Sequence, residues 1–289
     1  MKKIIKMVLA HIDYLLYRIG IRKCSMKVET IDETIEDLLH SRKSIVRFGD
    51  SDITLVRGRS VVYQEVNPDI VEGFKRILRY EYDGLIVAIP KIFDDLDMYR
   101  KESRRFWKDH LFFCRKIYMK NCDEKRTYGN AYITRFYYPL ADKSRCGRQI
   151  EAIKQLWKDR DIVVVEGEKT HNGVGNDLLD AAHSIERIIG PSTQAYEKVD
   201  EIFECCIEYP KDRLFLLSMG IAAKFLAEKL FLEGYRVLDI GNLDMEYEWY
   251  LHQAKYKEKL PKHDIIGEEA NRNAGYYEYL AQIKKRIVS

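Results

Sequence analysis

The 289-residue chain has only six prolines. It has no internal repeat, low-complexity tract or Pro/Gly-rich linker, so one compact domain is expected rather than modules on tethers. It has no C-x-x-C pair: the six cysteines are Cys24, Cys114, Cys122, Cys146, Cys205 and Cys206. No histidine spacing completes a zinc pattern either, so the thiols read as those of a reduced intracellular protein. No run reaches the roughly 18 apolar residues of a membrane span. The opening MKKIIKMVLA starts like a signal peptide, but Lys6 interrupts its apolar run and no small-residue cleavage site follows. A cytoplasmic location is expected. Also missing are the Walker pattern, the G-x-G-x-x-G fingerprint and the G-x-S-x-G elbow. The formal net charge is only +3, without the basic excess of a nucleic-acid binder.

What charge there is lies unevenly. Residues 1–27 carry Lys2, Lys3, Lys6, Arg18, Arg22, Lys23 and Lys27 against the single acid Asp13. Within that stretch, residues 2–19 have helical periodicity, with Ile4, Ile5, Val8, Ile12, Leu15, Leu16 and Ile19 on one face. The plain reading is a helix whose apolar face packs on the domain. The sharper one is a basic amphipathic helix on an anionic membrane surface, which would place the protein at the inner face of the membrane. A second basic run lies between Arg100 and Arg126.

Beyond it, short apolar runs alternate with helical patterns. Strands are expected at 44–48, 85–89, 131–136, 161–167, 187–190, 213–219 and 235–241, and helices near 31–41, 68–80, 94–110, 147–158, 195–206 and 220–232. Nearly all-apolar strands alternating with helices specify an α/β, Rossmann-like fold, with a mostly parallel sheet and helices on both faces. The organisation expected is an N-terminal helix over 1–27, a main domain over 28–261 and a helical appendage over 262–289. Ligands of such sheets bind beyond the carboxyl ends of the strands, so the loops there are the places to search.

The first such loop is VRFGDSDI. Gly49 allows a sharp turn. Arg47 suits a phosphate, and Asp50 and Asp52 suit a ribose, base or metal; equally, Asp50 or Ser51 caps a helix and Asp52 stands in its first turn. The second is EGEKTHNGVGNDLLDAA, where Gly173 and Gly175 allow close backbone approach and the helix after them offers free N–H groups. There Asn176 or Asp177 serves equally as a cap. His171 is the only histidine in these loops. A third, after the sixth strand, has Gly220, Ala222 and Ala223, small residues that suit either a ligand or tight helix–sheet packing. The fourth is IGNLDMEYEWY. On extended backbone Asp244 and Glu246 project to one side and can share a hard cation. On a helix they diverge by about 200° and cannot.

Together SIVRFGDSDI, IVVVEGEKTHNGVGNDLLDAA and GYRVLDIGNLDMEYEW, with LIVAIP and YGNAYITRFYY between them, resemble the GT-D type of bacterial nucleotide-sugar glycosyltransferase over roughly residues 40–270. The resemblance implies a Rossmann-like fold, a UDP-sugar donor and a divalent cation, Mn²⁺ or Mg²⁺. The family's D-x-E falls on Asp244 and Glu246 as metal ligands. Its R-F-G-D-G-E block falls on Arg47 to Asp52, with Ser51 and Asp52 in place of Gly-Glu, and its G-V-G-N-D-L block on Gly173 to Leu178. MGIAAK replaces a more typical G-P-T-A, and Asn242 stands where many relatives have His. Nucleotide-sugar contacts are then expected from Arg47, Gly49, Asp50, Gly173, Gly175, Asn176 and Asp177. An acid such as Asp52 or Glu248 would deprotonate the acceptor hydroxyl. The acceptor would be a glycan, a lipid-linked sugar or a glycoprotein in surface polysaccharide or glycoprotein synthesis. Two rivals remain: a catalytically silent sugar-nucleotide-binding or scaffold subunit, and another Rossmann-type transferase such as a methyltransferase.

Overall fold

The computed structural model describes residues 2–260, 262–263 and 275–288. The chain runs α1 (Lys2–Arg18), β1 (Lys27–Val28), α2 (Ile31–His40), β2 (Ser44–Arg47), α3 (Asp50–Val56), α4 (Pro68–Arg79), β3 (Leu85–Ile89), α5 (Lys101–Asn121) and β4 (Thr127–Asn130). It continues through α6 (Cys146–Lys154), β5 (Asp161–Gly167), β6 (Ser184–Gly190), α7 (Val199–Ile207), β7 (Leu214–Ser218), α8 (Ala222–Leu232), β8 (Arg236–Asp239), α9 (Leu243–Leu251), α10 (Tyr276–Gln282) and β9 (Ile283–Arg286).

The strands form one sheet in the order β1-β4-β3-β2-β8-β7-β5-β6-β9, and every pair is parallel. Parallel strands need crossover connections, most of which here carry helices that cover the faces; the β5–β6 connection over 168–183 has only turns and bends, so the helix expected after Gly175 is not formed. The central strands are accordingly apolar throughout: Ile162–Val165 of β5 and Leu214–Leu217 of β7 are fully buried. From β2 the chain crosses toward β3, while β8 lies on the other side of β2. The carboxyl ends of β2 and β8 thus flank a switch point, where open α/β sheets bind ligands.

Several expectations change. The strand expected at 131–136 is β4 at Thr127–Asn130, followed by a 3-10 turn at Ala131–Thr134; the Asn130 side chain accepts the Tyr132 N–H (2.9 Å) and starts that turn. The helix expected at 94–110 is α5, shifted to Lys101–Asn121. Upstream, Asp95 takes the Asp97 N–H (2.8 Å), one of the side-chain bonds that compete with helix. The expected appendage at 262–289 lies partly outside the described residues. Its described end is α10 and then β9, a sheet strand paired with β6. Finally, α1 packs through Ala10 and Tyr14, not through its apolar stripe: Ile5, Val8, Ile12, Leu15 and Ile19 face outward.

Candidate functional site

A cavity of about 960 Å³ opens at the carboxyl ends of the strands. Its floor is a buried set of charges. Arg47, the last residue of β2, donates from Nε to the Asp239 carbonyl (2.6 Å), from Nη2 to Asp239 Oδ1 (3.0 Å) and from Nη1 to the Ala131 carbonyl (3.1 Å). Asp239 ends β8, so this pair fastens the two strand ends together. The close approach needs Gly241: its φ is +45°, and a Cβ there would lie 1.9 Å from Arg47 Nη2.

Lys224, on the first turn of α8, reaches into the same floor. Its Nζ is 3.4 Å from Asp239 Oδ2 and 3.7 Å from Asp52 Oδ1. Burial opposes charge on Lys224, but Asp239 and Asp52 outweigh it and hold the ammonium above its ordinary value. Burial likewise works against the Asp239 carboxylate, and Arg47 and Lys224 outweigh it, so Asp239 stays below the ordinary range.

Asp52 is the exception. Its Oδ2 accepts the Gly49 N–H at 2.6 Å, which closes the start of α3. Its Oδ1 is buried without a hydrogen-bond partner, and the residue lines the cavity. Burial pushes its carboxyl up to about 6, only partly offset by Lys224 and the Gly49 N–H. A buried acceptor left unpaired costs roughly 1–3 kcal/mol, so a native fold that keeps one invites a functional reading. Asp50 also lines the cavity.

The walls supply cations and aromatic faces. Lys169, Lys257 and Arg135 line the cavity, as do Tyr63, Trp107, Tyr132 and Tyr138. Trp107 donates from its indole to the Tyr132 hydroxyl (2.8 Å), fixing both rings. Asn172 Oδ1 is a second buried oxygen without a partner on this wall. Its amide and backbone N–H groups both go to Glu166 Oε2 (2.7 and 2.8 Å), which Arg187 holds in turn.

The expected metal pair is not built. Gly241 turns the chain, and α9 begins at Leu243, so Asp244 and Glu246 lie on a regular helix about 200° apart. Both are fully buried, and neither lines the cavity. Asp244 Oδ1 accepts from the Gly173 N–H (2.8 Å), Asn176 Nδ2 (3.0 Å) and Lys262 Nζ (3.0 Å), and its Oδ2 lies 2.8 Å from His263 Nε2. Glu246 faces the other way: Oε2 accepts the Tyr138 N–H (2.8 Å), and Oε1 lies 3.4 Å from Arg135 Nε. Glu246 Oε1 has no hydrogen-bond partner, but it points away from an Asp244 whose two oxygens are both taken by protein donors, so the pair does not fit a shared Mn²⁺ or Mg²⁺. Among the described residues no three His, Cys, Asp or Glu side chains group to hold a metal ion.

The glycine loop is also placed differently from the expectation. Gly173 and Gly175 have φ of +76°, but Gly173, Gly175, Asn176 and Asp177 do not line the main cavity. Gly173, Gly175 and Asn176 border a smaller cavity of about 350 Å³ against α10. The left-handed backbone instead folds the loop over Asp244. Asp177 is taken by Lys154 Nζ (2.7 Å) and the Tyr247 hydroxyl (2.5 Å). Glu248 is bound by Asn176 and by Lys262 Nζ (2.6 Å) and is likewise absent from the cavity lining. It is no base for an acceptor there. Arg47 lines the cavity, but it serves first as the tie between strands. Of the expected residues, Arg47, Gly49, Asp50 and Asp52 meet in the cavity. Lys224, Asp239 and Asn172 were missed, although Lys224 stands out as a lone charge inside GIAAKFLA and Asp239 as an acid ending an apolar strand.

The family model for the glycosyltransferase GT-D fold matches residues 45–268. The chain is 39% identical over 236 residues to the probable glycosyl transferase Gly of Streptococcus gordonii, covering 81% of this chain and 34% of that protein. It is 35% identical over 268 residues to the glycosyltransferase GlyD of Streptococcus pneumoniae serotype 4, covering 91% and 33%. It therefore spans about a third of the length of these curated relatives. Among solved structures, it matches a glycosyltransferase from Streptococcus sanguinis at 37% identity and a TM-score of 0.85, over 91% of this chain and all of that one. It also matches, at the same identity and score, a domain described as having a distinct glycosyltransferase fold, over 91% and 96%.

Proposed function

This chain belongs to the glycosyltransferase GT-D fold family, and from that membership we propose that it transfers a sugar from a UDP-sugar to a hydroxyl of a glycan, lipid-linked or glycoprotein acceptor, with Asp52 as the base. The observation that carries the reading is the buried Asp52 carboxyl on the cavity lining, whose Oδ1 has no hydrogen-bond partner and only the Lys224 ammonium at 3.7 Å beside it. A carboxyl held at about 6 is ionised at neutral pH yet more basic than an exposed aspartate, which suits general base catalysis. The acceptor oxygen bonds to the anomeric carbon as that carbon's bond to the β-phosphate oxygen breaks. The hydroxyl proton passes to Asp52 Oδ1, and the nucleoside diphosphate leaves with the electron pair. Lys169, Lys257 and Arg135, on the walls of the same cavity, offset the charge that grows on the diphosphate. Lys224 balances Asp52 from below. Tyr63, Trp107, Tyr132 and Tyr138 offer faces for a sugar or base.

The UDP moiety and a divalent cation come from the family resemblance. Asp244 and Glu246 do not fit the cation. A silent scaffold subunit gains nothing from a buried carboxylate oxygen that lacks a hydrogen bond, which speaks for the enzyme. The test is UDP release from a panel of UDP-sugars, with and without Mn²⁺, by the wild type and Asp52→Asn. Loss of at least a hundredfold in the variant is expected; equal turnover would remove Asp52 as base.

A further inference from the structure

The outward stripe of α1 lies outside the cavity. At about 100° per residue, Leu15, Val8, Ile12, Ile5 and Leu9 fall within an arc of about 120°. Each is about half exposed: Val8 52%, Ile12 47%, Leu15 50%. The stripe continues past the helix through Ile19 and Ile21, both about two-thirds exposed. The opposite side holds α1 to α5 through Ala10 and Tyr14, both buried, with Lys108 Nζ 4.8 Å over the Tyr14 ring and Arg115 paired to Asp13. The helix is thus anchored by its polar-aromatic side and shows its apolar side to the surroundings, the reverse of a helix that packs on a core.

Charge says what covers it. Lys6 lies about 60° beyond one edge of the arc and Arg18 about 60° beyond the other. Both are exposed, with Arg22 and Lys23 following at the helix end. The one acid of this stretch, Asp13, lies between Arg115 and Arg22. A second copy of the chain would press cationic edges against cationic edges. An anionic lipid surface accepts both, with headgroups at the flanks and acyl chains against the stripe. Among the described residues no helix is long and apolar enough to cross a membrane, so the helix would lie on the surface.

We propose that α1 is a membrane-docking helix that lays Ile5, Val8, Leu9, Ile12 and Leu15 into the headgroup boundary of an anionic bilayer, with Lys6 and Arg18 on the phosphates. The proposal is independent of the transferase reading. The test is flotation of the full chain with vesicles of phosphatidylcholine alone and of phosphatidylcholine with about one-third phosphatidylglycerol. The wild type floats with the anionic vesicles. The exposed triple variant Val8→Ser, Ile12→Ser, Leu15→Ser loses at least tenfold of that binding at an unchanged melting temperature. The double variant Lys6→Gln, Arg18→Gln loses the preference for phosphatidylglycerol. Wild type that fails to float with either vesicle overturns the proposal, as does equal flotation of the triple variant. A concentration-dependent dimer that the triple variant abolishes, without flotation, assigns the stripe to a second copy and overturns it too. UDP-sugar turnover in detergent-free buffer is expected to be the same in all three forms, so failure of this idea leaves the active-site reading intact.

Discussion

Asp52→Asn separates a catalytic carboxylate from a structural one, because the two roles move stability in opposite directions. The amide keeps the size of the side chain, and its oxygen still accepts the Gly49 N–H that Asp52 Oδ2 takes at 2.6 Å. What disappears is the buried charge. Burial raises the carboxyl from 3.8 to about 6, and a raised acid binds its proton more tightly when folded than when unfolded. The folded state is therefore favoured at low pH and loses stability as pH climbs from about 4 through about 6. A shift of about 2 units corresponds to roughly 3 kcal/mol once both states are ionised. The attraction of Lys224 is already contained in that shift. Asp52→Asn is thus expected to be more stable than wild type by about 3 kcal/mol at pH 8, by about half that at pH 5 and by well under 1 kcal/mol at pH 4. Urea unfolding of both proteins at the three pH values measures it, and all other titrating groups cancel in the difference. Turnover should fall 10²–10⁴-fold, the usual worth of a general base. A variant that is less stable at pH 8, or a difference that does not change with pH, refutes the assignment of a strained, charged Asp52.

Lys224→Met removes the cation between Asp239 and Asp52. It should cost about 3–5 kcal/mol, as breaking a buried ion pair does, and should move the acidic limb of the pH–rate profile upward as Asp52 becomes harder to ionise; an unmoved limb would show that Lys224 does not tune Asp52. Gly241→Ala places a methyl group where Arg47 Nη2 lies and strains a φ of +45°. Thermal unfolding should show a loss larger than the roughly 1 kcal/mol of an ordinary glycine replacement, with turnover falling alongside as the β2–β8 tie shifts. Asp244→Asn breaks a buried network with Lys262 and His263, so the melting temperature should fall while any effect of Mn²⁺ on UDP affinity, read by calorimetry, stays as in the wild type. Lost Mn²⁺ dependence at an unchanged melting temperature would restore Asp244 as a metal ligand.

The sheet was legible because its strands are buried on both faces and read as nearly unbroken apolar runs; LIVAI matches β3 and DIVVVEG matches β5 in full, and the runs at β2, β7 and β8 depart from the observed strands by only one or two residues at either end. β9 was not legible, since IKKR has neither alternation nor an apolar run; it is placed by pairing with β6 at the sheet edge. AYITRF has the β-branched and aromatic content of a strand, but Asn130 turns the chain into a 3-10 helix first. The outward stripe of α1 could not be read as outward, because periodicity reports that a face is apolar and not what lies against it. Only the contacts of Ala10 and Tyr14 with the domain settle which side is covered.

The two acidic pairs show where spacing stops carrying information. Asp50–Asp52 and Asp244–Glu246 are both acids two apart at a strand's carboxyl end, and both stand in the first turn of a helix. What separates them is the surroundings that distant segments supply. Asp244 meets donors on both oxygens, from the 173–176 loop, Lys262 and His263; Glu246 accepts from the Tyr137–Tyr138 backbone on Oε2, while its Oε1 lies 3.4 Å from Arg135 Nε without a hydrogen bond, but off the cavity lining. They brace the glycine loop and the residue 135–138 segment against α9. Asp52 lines the cavity, with one backbone N–H on Oδ2 and on Oδ1 no hydrogen bond, only the Lys224 ammonium at 3.7 Å. Its short side chain matters here: at the third position of α3 it reaches back to Gly49, a cap that a first-turn acid usually makes in water. Here the same cap is buried, so the carboxylate is positioned by the helix and left uncompensated by it. That combination of fixed geometry and missing solvation is what a base needs, and it arises from a position whose spacing alone also reads as an ordinary helix start.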